Sequence, residues 1–170
     1  MSYNPFLEPG GPVFTAPFSA AALTTNAQDL FCLTAGSSSR VVIREIRIGQ
    51  YTEFGDAQSE LLSLTMLVGS TAPSSGTAIT PRNVAGHSGA PSAASSVLGP
   101  STTLASTASA VERFADVWNV AAGFLYAPLP PERLILEPSQ RLALRMTAPN
   151  DAMTMNGTLV FQEIGKGRIV

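Results

Sequence analysis

One cysteine, Cys32, and one histidine, His87, occur in 170 residues. A lone cysteine excludes an internal disulfide framework. Its setting, LFCLT, reads as a buried strand in which a free thiol acts as a small hydrophobe. With one His and one Cys, a zinc site is short of its usual ligands, and no EF-hand spacing offers a calcium loop. Charge is scarce as well. Asp, Glu, Lys and Arg make up 13% of the chain and leave a net charge of −2, about half the usual charged share. No basic block or aromatic-interleaved basic stripe appears, so the electrostatic footprint of a nucleic-acid binder is missing. A membrane span needs about 20 predominantly apolar residues, and every apolar run here is broken sooner by charge, Gly or Pro. The start, MSYNPFLEPGGP, has no positive or continuous apolar stretch, so no secretory signal is visible. The chain reads as made in the cytoplasm.

What is present is strand material among small residues. A chain of this length fits one domain and buries roughly 70% of its unfolded surface without a metal or disulfide staple. The densest pattern is Arg40–Leu67. Val41, Val42, Ile43, Ile46 and Ile48 are interleaved with Arg40, Arg44, Glu45 and Arg47, and then Leu62, Leu64, Met66 and Val68 recur at every other position. A two-residue period places alternate side chains on opposite faces of a sheet. The apolar phase slips across Arg44–Glu45, as an extra residue in one strand would make it do, so a β-bulge is expected there. A helix over Ala57–Met66 competes for the second run, but alternation favours a strand.

Residues 1–25 read as an extended arm, because Pro5, Pro9, Pro12 and Pro17 remove backbone donors and Gly10–Gly11 adds freedom. Tyr3, Phe6, Leu7, Val13, Phe14 and Phe18 need something to lie against, either this domain or a neighbour. Residues 26–170 read as a single β-sandwich domain. Its long loop, 69–101, is dominated by Gly, Pro, Ser, Thr and Ala, and a connection of that length is usually functional or disordered. Ile79, Val84 and Val97–Leu98 are its candidate anchors. Further strands are expected at Gln28–Ala35, Thr102–Ala108, Glu112–Val120, Gly123–Ala127, Glu132–Glu137, Gln140–Thr147 and Met155–Gly165. Short strands, Gly and Pro corners and no sustained helical period argue for an all-β, antiparallel β-sandwich, and about eight strands with one long excursion suit a jelly roll.

No catalytic constellation emerges. His87 precedes Ser88, but the loop supplies no acidic orienter, and nucleophilic catalysis needs a base positioned at the nucleophile. Glu53, Asp56 and Glu60 surround a corner and read as solvated carboxylates. Tyr51, Phe54 and Tyr126 are candidates for a sugar-stacking platform, with rim packing as the plainer role. No Gly-rich phosphate loop opens a helix. The expectation is a protein that is not an enzyme, with no metal site and no cofactor.

Four stretches carry a resemblance: REIRIGQYTEFGDAQSELLSL, SSGTAITPR, WNVAAGFLYAPLPPERLILEPSQRLALRM and NGTLVFQEIG. Over about Phe31–Gly165 the chain resembles small virion structural proteins of tailed bacteriophages, of the decoration or cement kind. The resemblance implies a jelly-roll-like sandwich that binds the outer capsid surface and bridges major capsid protein subunits, without membrane or nucleic-acid partners. It implies residence on the virion and self-association, a trimer being the preferred state. The candidate contacts with capsid or neighbouring subunits are Tyr3, Phe6, Leu7, Val13, Phe14, Phe18, Ile79 and Arg82. The alternative is a carbohydrate- or receptor-binding module of a head fibre or tail.

Overall fold

The computed structural model describes residues 10–51, 60–86 and 90–165. Within them lie twelve β-strands and one 3-10 turn, Pro130–Glu132. The long strands are β1 (Val13–Leu23), β2 (Gln28–Thr34), β3 (Ser39–Gln50), β4 (Leu61–Val68), β8 (Val111–Asn119), β11 (Arg141–Met146) and β12 (Met153–Gly165). The short ones are β5 (Ala78–Ile79), β6 (Arg82–Asn83), β7 (Ser96–Leu98), β9 (Phe124–Tyr126) and β10 (Ile135–Leu136). They form an antiparallel β-sandwich. One sheet runs β10-β3-β12-β1-β6 with β9 also on β3, and the other runs β5-β7-β2-β11-β4-β8. Strands β1 to β4 alternate between the sheets, so neighbours in sequence face each other across the core.

The alternation in Arg40–Leu67 becomes that core. Val41, Ile43, Ile46 and Ile48 of β3 face Leu62, Leu64, Met66 and Val68 of β4 across the layer, all buried. Where Val160 pairs with Glu45 and Phe161 with Ile43, Arg44 is the added residue, which is the expected bulge. The stretch 61–68 is a strand and not a helix. No strand forms over 102–110.

The N-terminal boundary needs correcting. Residues 13–23 are not an arm: they pair with β12 along their length, and Phe14 and Ala16 are fully buried. Proline misleads here because of which edge it faces. The Pro12 carbonyl accepts from Glu163 of β12, whereas that of Val13 accepts from Val84 on the other side. Alternation then turns the Pro17 nitrogen away from β12, so its missing N–H breaks no ladder bond. Beyond it Ala20, at φ 48°, forms an irregularity closed by its amide donating to Asn156 Oδ1 at 2.7 Å. Gly157 opposite Phe18 leaves space that a Cβ would take from the Phe18 ring, and that ring packs on Phe31 at 5.0 Å.

The expected long loop is also more built than its composition suggests. Its β7 extends one sheet by pairing with β2, β5 adds to β7, and β6 adds to β1 in the other sheet. Buried acids seat it. Glu163 accepts the Ala94 and Ser95 amides at 3.1 and 2.7 Å. Asp29, fully buried, pairs with Arg145 at 2.8 Å and accepts the Ala105 amide at 2.6 Å. Arg145 returns a bond to the Ala105 carbonyl. This clamp lays 70–76 and 100–106 over the outer face of β2 and β11, where Cys32, Ala105 and Ala143 make a small second core.

Candidate functional site

The contact residues expected from sequence do not form one surface. Phe14 and Phe18 are core, 0% and 9% exposed, so they are not available to a partner. Val13 is half-buried in β1 and Ile79 half-buried against the core. Arg82 alone among the described ones is exposed, its carbonyl accepting from Thr15 Oγ1. Tyr3, Phe6 and Leu7 lie outside the described residues, as do His87, Glu53, Phe54 and Asp56.

The other candidate groups are similarly dispersed. Glu60 is not a solvated corner carboxylate. It is 8% exposed and takes the Asn150 amide at 2.9 and 3.0 Å. No metal-binding group of three or more His, Cys, Asp or Glu exists among the described residues. The aromatic platform does not assemble either. Tyr126 is half-buried with its ring edge-on to Phe114 at 5.1 Å. It pairs with Ile46 on β3, about 17 Å of strand away from the exposed Tyr51.

A different surface stands out once the sheets are assembled. Among the described residues, the large apolar side chains exposed to solvent are Tyr51, Leu61, Val84, Val111, Val117, Leu125, Leu129 and Ile135. Six of these lie on β4, β8, β9 and β10 or the link between the last two. Strand β8 is the edge of one sheet, while β9 and β10 are the edge of the other. Phe114 of β8 packs on Phe124 and Tyr126 of β9 at 6.1 and 5.1 Å, so the two edges are stacked and form one side of the molecule. On the outer face Leu61 lies diagonal to Val117, with Ser63, Thr65 and Ala115 beside them, and none of these carries charge. Leu125 sits opposite Arg47 and Ile135 opposite Val42. Sequence reasoning missed this surface because exposed and buried leucines look alike until the edges are known.

No known family model matches the chain, and no curated protein does. Among solved structures, "Structure of infectious bursal disease virus Gt strain" aligns over 99% of this chain and 47% of that chain, at 15% identity and a TM-score of 0.15. The chain thus spans about half the length of that protein, and a likeness this slight carries no argument. No helix among the described residues is long and apolar enough to cross a membrane.

Proposed function

We propose that the protein is a bacteriophage capsid decoration (cement) protein that docks on the outer head surface and bridges major capsid protein subunits. The observation that carries the reading is the pair of stacked sheet edges flanked by bare apolar side chains on both outer faces, Leu61 and Val117 on one and Leu125 and Ile135 on the other. Exposed apolar side chains flanking one edge on both faces favour association with neighbours that clasp it, since their burial releases about 25 cal/mol per Å². The strand order supports a jelly-roll reading of the sandwich, with β1-β12-β3-β9 facing β2-β11-β4-β8. A cement protein acts by adding buried area between shell subunits. Binding the assembled shell alone stabilises that state by mass action, and many copies multiply a modest contact. Residues 1–9, with Tyr3, Phe6 and Leu7, are a second candidate contact, and a trimer would present several such sides at once.

Leu125→Ser with Ile135→Ser tests the reading. Thermal stability is expected to stay near that of the parent, since both side chains are exposed, while cosedimentation with capsid shells drops by at least about tenfold. Undiminished binding would remove this side from the mechanism. Deletion of residues 1–9 tests the arm separately; cutting on to residue 17 would take half of β1 out of the core.

A further inference from the structure

On the opposite side of the sandwich an open cleft of about 540 Å³ lies between β1 and the excursion. Strand β5 borders it from one sheet and the second half of β1 from the other. The lining is chemically uniform. Thr24, Ser75, Thr77, Ser101, Thr102 and Thr103 contribute hydroxyls, Gln28 an amide, and Phe18, Ile79 and Pro100 apolar surface. No lining residue is charged.

Several of these polar groups lack partners. Ser101 Oγ is engaged with the Thr103 main chain. The hydroxyls of Ser75, Thr77, Thr102 and Thr103 make no hydrogen bond among the described residues. Gln28 is 3% exposed, and its Nε2 donates to the Thr24 carbonyl at 3.0 Å. Its Oε1 meets the solvent of the cleft, where it is free to accept from a ligand. The wall is also held in place. Gly99 donates to Thr77 at 2.7 Å, and Ser101 exchanges two main-chain bonds with Asp29, the residue clamped by Arg145. A held wall reduces the ordering cost of binding.

We propose that this cleft binds a neutral sugar, a single hexopyranose unit at the end of a glycan. Such a ligand offers hydroxyls, each donor and acceptor, to a wall of hydroxyls and one amide. Its C–H faces meet Ile79, Pro100 and Phe18. The uncharged lining gives no counter-ion to an acidic sugar, a phosphate or a cationic ligand, which would lose hydration without compensation. The volume falls within the usual range for small-ligand sites. This inference does not rest on the capsid reading, and it places a glycan site away from Tyr51 and Tyr126.

The test uses the full-length protein and follows its backbone amide resonances by NMR. The probes are the methyl glycosides of glucose, galactose and mannose, together with chitobiose, sialyllactose and a short Ser/Thr/Ala peptide. At least one neutral sugar is expected to shift the amides of Gln28, Thr77, Thr102 and Thr103 and to saturate with a millimolar Kd. Thr77→Val and Thr103→Val, at exposed positions, are each expected to weaken it about fivefold or more with the spectrum otherwise kept. Failure of every neutral sugar to shift those amides by about 20 mM would overturn the proposal. So would binding that both valine variants leave unchanged, or a response to the peptide alone.

Discussion

The two long sides of the sandwich are finished in different ways. On the β1–β2 side the excursion between β4 and β8 extends both sheets and lays its own loops over the outer face. There three hydrophobic residues, Cys32, Ala105 and Ala143, are sealed in. On the β8–β10 side Leu61 of β4 and Val111 and Val117 of β8 stand more than half exposed, as do Leu125, Leu129 and Ile135. The first side depends on buried acids that seat loop amides. The second depends only on what packs inside. A molecule that covers one side with its own chain and leaves the other apolar directs association to the bare side, and the covered side becomes a place to hold a cleft open.

The clamp on the covered side is where a single change should cost most. Asp29 is fully buried and holds Arg145 together with the Ala105 amide. Asp29→Ala leaves the guanidinium under the cover without its counter-ion, and breaking a buried pair in this way costs on the order of 3–5 kcal/mol. Urea unfolding measures it. Cys32 supplies a local reading of the same event, because it lies under the loops near Ser74 and burial pushes its thiol up. Thiol alkylation is expected to be slow in the parent and fast in Asp29→Ala under conditions where both remain folded. Equal labelling rates would mean that the clamp does not hold the cover.

A smaller effect is expected from Gly157→Ala, in the sheet that both sides share. The new Cβ would overlap the Phe18 ring, and overpacking of this kind costs about 1–3 kcal/mol. Phe18→Leu should recover part of that loss in the double variant, since the two changes act on one contact. Strict additivity in thermal or urea unfolding would show that the Phe18 ring is not what Gly157 accommodates.

These residues also mark how far the sequence could be read. Alternation in β3, β4, β8 and β11 was legible because each of these strands has one face on the core, and even the Arg44 bulge showed as a slip of phase. Strand β1 was not legible. Its prolines suggested an arm, and only the orientation of the Val13 carbonyl toward β6 shows that Pro17 faces an open edge. The clamp was invisible for a different reason. Asp29 meets Ala105 and Arg145 at separations of 76 and 116 residues, and no local pattern encodes a carboxylate that bonds loop amides so far along the chain. The bare side was hidden similarly, since its leucines become surface only because β8, β9 and β10 end their sheets.

The mildest change probes how the bare side avoids pairing with its own copies. Strand β8 offers a nine-residue edge, which is a template for strand addition unless something blunts it. The Ser63 N–H and carbonyl are taken by Thr147, so Val117, opposite Ser63, turns its N–H toward the open edge. Asp116 Oδ1 accepts that N–H at 2.7 Å. The side chain thus fills a donor position that an incoming strand would use, and it sets a negative charge there. Asp116→Ala should move stability by no more than about 0.5 kcal/mol, as for other exposed positions. It is expected to produce concentration-dependent association beyond the parent's own state, measured by light scattering. Asp116→Asn keeps the acceptor without the charge and separates the two contributions. If both variants scatter as the parent does, the edge is protected by its twist and its irregular register at Arg113 alone, and the apolar side docks through side chains rather than backbone.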